Sequence, residues 1–322
     1  MSILHVFVLL VLAGSAAFAA EPALDGPPFS AQGINIVWPA PTNRWPTNIW
    51  VYKVAPQNFP PTTVSNLMAI GGFTQKDKTH VEGQPPFKDK RLMYFANEGR
   101  TRHLGIFPPL GYVYYRDDEA TVRGRDRAKR VPSETEAVEL ALQYADKLSI
   151  PRPELVNKED GSGLYVARTV DTRSWTDKAT QEQVKEVIRR GVSFIRQVDG
   201  ISLTGIGADG GLSIAFTVEG KIASLELIWR RFERHKLQRV SSPVEIVERI
   251  KQGQAKVHPF HSSSLSGAKK LTISKVTPIY LGADGETQQD FMYPFASVEG
   301  TIEFADGKSV GIALKCPLLA DK

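Results

Sequence analysis

The sequence predicts an α+β chain in which short amphipathic helices pack on one face of antiparallel sheets. Three observations carry that expectation. Leu212, Ile214, Phe216 and Val218 alternate with Ser213, Ala215 and Thr217, the period-two pattern of a strand buried on one face. After a turn at Glu219-Gly220, Ala223, Leu225, Leu227 and Trp229 alternate with Ser224, Glu226 and Arg230, so a second strand returns on the first as a hairpin. Two Ser-x-x-Glu capping boxes, Ser133/Glu136 and Ser242/Glu245, then mark helix starts, the second with Pro243 at the first helical position.

In chain order, Ile3 to Leu12 is a short apolar run ending in Ala17-Phe-Ala19, which fits a cleavable export signal with a mature start near Ala20. The run is too short to favour a membrane anchor. Its leading end carries no Lys or Arg, only His5 and the amino terminus. Glu21 to Pro61 is rich in Pro, with Trp38, Trp45 and Trp50 among aliphatic residues. It reads as an extended arm packing its indoles on the domain before a strand near Ile49 to Val54; the alternative is an aromatic platform for carbohydrate or peptide.

Thr63 to Ile70 predicts a short helix stopped by Gly71-Gly72, and the polar stretch 74–90 a loop. Strands are expected at Arg91–Phe95, Thr101–Phe107 and Tyr112–Tyr115, with Pro108-Pro109 and Gly111 turning the chain between the last two. Asp117 to Arg130 reads as a charged connector, in which Arg127-Ala-Lys-Arg130 also has the spacing read by secretory processing proteases. The helix opened by Ser133 carries Ala137, Ala141, Tyr144, Ala145 and Leu148 along one face and ends at Ile150-Pro151. Leu164–Val170 predicts a strand. Thr180 to Arg190 admits a helix ending at Gly191 or a lead-in to the next strand, and the helix is the expectation.

Val192 to Ile201 predicts a third strand beside the hairpin, turning at Asp199-Gly200. Beyond the second capped helix, His258–Gly267 reads as a loop, and Leu271–Tyr280, Met292–Glu299, Thr301–Phe304 and Val310–Leu314 as strands turning at Asp284-Gly285 and Asp306-Gly307. The expected organisation is a signal at 1–19, an arm at 20–45, an α+β unit at 46–116, a linker at 117–132, a related α+β unit at 133–256, a loop at 257–268 and a C-terminal β segment at 269–322.

The chain has 322 residues and one cysteine, so it buries a core without any internal disulfide. Cys316 reads as a small buried hydrophobe of the last strand, with intermolecular pairing left open. The net charge of +5 is modest and unaltered by loss of residues 1–19, which carry no Asp, Glu, Lys or Arg. It suits anionic envelope surfaces, whereas a nucleic-acid role is out of place for an exported chain.

No motif specifies a reaction. Gly205-Ile-Gly-Ala-Asp-Gly210 has the letters of a dinucleotide fingerprint but leads into a strand rather than a helix. Ser213 lies within a strand and reads as a surface serine. His258 and His261 lack a supporting third ligand, so no metal or cofactor is assigned, and no catalytic residue. The most polarised stretch is Arg230-Arg231-Phe-Glu-Arg234-His235-Lys236, followed by Arg239, which predicts a cationic surface for an acidic partner or anionic polymer; an edge strand guarded by charge is the alternative.

The order of elements from Ile49 to Gly253 resembles extracytoplasmic YycH/YycI-like proteins and the related PepSY and peptidase-propeptide modules. The resemblance rests on the Gly-Tyr-x-Tyr-Tyr strand, on Val192 to Ile201 with its Asp-Gly turn, on the Glu-Gly hairpin and on the Ser-x-x-Glu helix starts. It implies a binding partner or inhibitor rather than an enzyme, and it carries over no catalytic residue. Those regulators are usually membrane-anchored, whereas the N-terminal run here looks cleavable. The functional expectation is an exported, non-catalytic binding or regulatory protein that acts on a protein or envelope partner through Arg230, Arg231, Arg234, His235 and Lys236. The alternatives are a secreted hydrolase and a propeptide-like peptidase inhibitor.

Overall fold

A computed structural model describes residues 26–39, 45–79, 92–122, 130–156, 169–177, 179–205, 211–257, 265, 267–282 and 289–320. The export run, the Arg127–Lys129 part of the basic motif, most of Leu164–Val170, the Gly-rich turn 206–210, His258, His261 and Asp284-Gly285 lie outside the described residues.

The chain runs through β1 (Asn35–Val37), β2 (Asn48–Ala55), α1 (Pro61–Gly71), β3 (Lys78–Thr79), β4 (Met93–Ala96), β5 (Arg102–Phe107) and β6 (Tyr112–Asp117). Next come α2 (Asp118–Val122), α3 (Glu134–Lys147), β7 (Leu155–Val156), β8 (Thr169–Thr176), β9 (Gln183–Val198), β10 (Ile201–Gly205), β11 (Gly211–Phe216), β12 (Ile222–Ile228) and β13 (Arg231–Arg239). It closes with α4 (Pro243–Lys251), β14 (Lys256–Val257), β15 (Ala268–Gly282), β16 (Phe291–Met292), β17 (Pro294–Phe304) and β18 (Ser309–Pro317). The architecture is mixed helix and sheet with mostly antiparallel pairing; β1 and β10 each run parallel to β15.

Most strands join one large sheet in the order β14-β18-β17-β15-β10-β9-β11-β12-β6-β5-β4-β3. A smaller sheet has the order β13-β2-β16. The expected hairpin of β11 and β12 forms, with Ile214 opposite Leu225 and β9 on the other side of β11. Leu212, Ile214, Phe216, Leu225 and Leu227 are buried with Val192 and Phe194 beneath α1 and α3. Each such side chain contributes about 1.5–3 kcal/mol. Ala137, Ala141 and Ala145 of α3 are fully buried, and their small side chains let that helix lie close on the sheet. A second core gathers Ile49 and Val51 of β2, Ile246 and Ile250 of α4, and Leu271, Ile273, Val298, Ile302 and Leu314 of β15, β17 and β18. Cys316 belongs to it, and burial pushes its thiol up to about 12. The arm packs as expected: Phe29 is buried, and Trp45 Nε1 donates to Ser241 O at 2.7 Å.

Five expectations need correction. Thr180–Arg190 is not a helix, because Gln183 begins β9, a 16-residue strand. The helical spacing of Val184, Val187 and Ile188 arises where β8 skips from Arg189 to Val187, leaving Ile188 as an extra residue that breaks the alternation. The units expected at 46–116 and 133–256 do not form separate sheets: β6, before the connector, pairs with β12, after it, and β2 pairs with β13. The loop at 74–90 contains a capped turn at Gln75–Asp77 and the short β3, and the connector contains α2. Met292 sits in β16 apart from β17, which runs unbroken through Gly300.

Both capping boxes form, and each is joined by an arginine three residues earlier. Ser133 Oγ accepts from the Glu136 amide at 3.4 Å, and Glu136 accepts from the Ser133 amide at 2.8 Å and from both Nη atoms of Arg130. Ser242 and Glu245 repeat the pattern, with Arg239 donating to Glu245 at 2.8 Å. Arg130 first, and then the Ser133 amide, hold Glu136 down at about 2; the Ser242 amide and then Arg239 do the same for Glu245.

Because both folded-state values lie below the ordinary carboxylate range, the stability they supply is present above about pH 4 and is lost as pH falls through about 2. Urea midpoints of Glu136→Gln/Glu245→Gln are expected to fall less steeply than wild type between those limits. Parallel curves would refute the linkage. Ser133→Ala is expected to cost about 1 kcal/mol.

Candidate functional site

The strands that bury Leu212, Ile214, Leu225 and Leu227 turn the intervening residues to the opposite face of the sheet. There cross-strand pairing lines up Ser193, Ser213, Glu226, Tyr114, Gly105 and Tyr94 in one row. A neighbouring row runs Gly191, Ala215, Ser224, Arg116 and His103. Small side chains on β9, β11 and β12 make a floor, and Tyr112, Tyr114, Arg116 and Arg189 rise around it. The result is a groove of about 410 Å³.

Its aromatic wall is ordered. Phe107, Tyr112 and Tyr114 have centroids 5.5 to 6.0 Å apart and planes inclined by only 31° to 33°. Tyr114 leans over Gly105, where a Cβ would lie 2.3 Å from the ring, so that glycine makes room for the wall. Beyond it the Tyr94 hydroxyl and His103 Nδ1 share a hydrogen bond of 2.7 Å. On the floor Ser193 and Ser213 hydroxyls meet at 2.6 Å. Ser213, read from the sequence as a surface serine, is therefore half-buried and paired. Glu226 is half-buried too; burial raises its carboxyl above the usual range, and Tyr112 partly offsets the rise by hydrogen bonding.

The basic tract expected to bind lies elsewhere, and only part of it is a surface. Arg230 is buried: its Nε donates to Leu110 O at 3.1 Å and its Nη1 to Gln289 Oε1 at 3.1 Å. Its role is to tie loops together at the passage from β12 to β13, which corrects its assignment to the exposed patch. Arg231, Arg234, His235 and Lys236 are exposed on β13. Arg231 pairs with Glu233, and Arg234 meets Asp199 at 3.0 Å. The His235 ring lies 4.9 Å from that of Phe291. Asp199 also accepts from the Tyr52 hydroxyl, which burial, with Asp199 adding, pushes up to about 12.

Between groove and tract lies a residue that sequence reasoning missed. Arg196 continues the inward-facing series Val192, Phe194 of β9 and is only 6 % exposed. Its guanidinium sits 4.1 Å from the Trp229 ring centroid and 4.7 Å from that of Phe232. It pairs with Glu154 at 2.8 Å and donates to Arg230 O at 2.5 Å. The signal was an arginine in phase with buried apolar positions, which requires an internal partner. The groove left a fainter one, small polar residues on adjacent strands, unreadable before the strands were paired.

Arg196→Ala is expected to cost about 3 kcal/mol in chemical denaturation, since Glu154 and the Arg230 carbonyl lose their partner; a loss below about 1 kcal/mol, the scale of an exposed pair, would exclude the clamp. Glu226→Gln tests the groove's electrostatics. The raised folded-state value opposes folding once Glu226 ionises, so the variant should gain on wild type as pH rises above about 4. A stability difference independent of pH would contradict this.

No family model matches the chain, and no curated protein matches it significantly. Among solved structures, it is similar to an uncharacterized protein from Eubacterium rectale ATCC 33656, at 13 % identity and a TM-score of 0.43, over 84 % of this chain and 83 % of that one.

Proposed function

We propose that this chain is an exported, non-catalytic binding or regulatory protein whose partner is a protein, free or held at the cell envelope, that docks along the outer edge of β13. The observation that carries this reading is the strand itself. Among the described strands β13 pairs with β2 on one side and with none on the other; the outer side is closed at its far end, where the Arg239 carbonyl accepts from the Ala320 amide at 3.0 Å, and the strand is exposed along most of Arg231–Arg239. Such an edge offers main-chain donors and acceptors to an extended segment, which adds as a further strand.

Charge selects the segment. Arg231, Arg234, Lys236 and Arg239 outnumber Glu233 on the strand. Exposed ion pairs such as those to Glu233, Asp199 and Glu245 are worth about 0–1 kcal/mol each, so an acidic partner displaces them at small cost. The same cations keep the edge from pairing with a second copy of itself. Leu237, about half exposed at 49 %, adds an apolar contact in the middle of the charges. The apolar run Ile3–Leu12 before Ala17-Phe-Ala19 supports export, and the resemblance to PepSY and propeptide modules supports a protein as the partner.

N-terminal sequencing of the exported protein should begin near Ala20; an intact Met1 would remove the export part of the reading. For binding, a partner captured from secreted and envelope fractions would be purified and titrated against the chain. Amide exchange at 231–239 is expected to slow in the complex, and Arg231→Ser/Arg234→Ser/Lys236→Ser to weaken it roughly tenfold or more. Unchanged exchange on β13 in a saturated complex would sink the edge reading. Conversion of the partner by the chain would sink the non-catalytic one.

A further inference from the structure

We propose that the groove on the open sheet face is a binding site for a short, uncharged saccharide, separate from the edge of β13 and independent of what binds there. The shape comes first. Exposed sheet faces ordinarily carry long polar side chains, yet here Ser193, Ser213, Ala215 and Ser224 lie side by side on three strands and leave a trough beside an aromatic wall. Its volume of about 410 Å³ is within the ordinary range of small-molecule sites.

The chemistry of the lining then restricts the occupant. Tyr112 and Tyr114, near-parallel to Phe107, offer apolar ring surface with phenol groups attached. Glu226 is a half-buried acceptor whose carboxyl burial raises above the usual range. A purely apolar ligand would shut that carboxyl away from water with Tyr112 as its hydrogen-bond partner and would leave the remaining bonding capacity of the mutually paired Ser193 and Ser213 unused. An anionic ligand would face Glu226; of the two rim arginines, Arg116 is paired with Asp118 at 2.5 Å and Arg189 lies on β9, with β11 between it and the strand of Glu226. A sugar ring meets both demands. Its C–H face lies on the tyrosines, its hydroxyls donate to Glu226, and the same hydroxyls accept from serine, phenol and guanidinium groups.

The test uses the full chain and four probes at millimolar concentration: cellotetraose, maltotetraose, xylotetraose and chitotetraose. Saturation-transfer NMR, read on the sugar, finds binders, and isothermal titration gives their affinities. At least one probe is expected to bind. Tyr114→Ala and Glu226→Gln should each weaken it about tenfold or more, the scale of a lost hydrogen bond to a charged group or a lost aromatic face. Tyr114→Phe should retain most of the stacking. Ser213→Phe, which raises a ring from the floor, should abolish binding, while Arg231→Ser/Arg234→Ser/Lys236→Ser should leave it unchanged. Thermal melts confirm that each variant is folded; should Tyr114→Ala fail to fold, Ser213→Phe and Glu226→Gln carry the test. Silence from all four probes would overturn the proposal, as would binding that survives in folded Ser213→Phe.

Discussion

The guanidinium of Arg196, stacked between Trp229 and Phe232, fixes the place where the chain leaves one sheet for the other. Trp229 ends the strand pair buried beneath the helices, and Phe232 starts the pair that closes over the second core. A buried cation must be partnered, and this one draws Glu154 and the Arg230 carbonyl to the same point. Gly111 completes the junction: its φ is +61°, and a Cβ there would lie 2.7 Å from the Trp229 carbonyl oxygen, so only glycine lets the two segments close on each other. The direction of β13, and with it the orientation of the basic edge, follows from that corner.

Two surfaces with different physics result. The edge of β13 is exposed: backbone groups, cations and weak surface ion pairs. The groove is recessed, with side chains placed by strand register and an aromatic wall held by packing against itself and over Gly105. Both depend on the same alternation that makes the core, because every residue turned inward to meet α1 and α3 places its neighbour on the open face.

What could be read from the sequence was local. Capping boxes at Ser133 and Ser242, the Glu219-Gly220 hairpin and the turn at Asp199-Gly200 depend on residues a few positions apart, and the structure contains them. The candidate site was legible only as composition. A string of basic residues shows charge but not direction, so Arg230 could not be told from Arg231 until the chain crossed between sheets. The lead-in to β9 misled for a related reason: a bulge is a property of two strands, and its extra residue gives one of them the spacing of a helix.

The sequence by itself determined the class of elements, the inner face of the β11–β12 hairpin and the starts of the two capped helices, since those follow from side-chain periodicity and hydrogen bonds within one turn. Only the tertiary structure decided which strands are neighbours. Pairing of β6 with β12 and of β2 with β13 joins segments separated by more than a hundred residues. That choice is made by burial and register acting on the whole chain, and it is what brings Ser213, Glu226 and Tyr114 into one row and leaves Arg231, Arg234 and Lys236 along an edge.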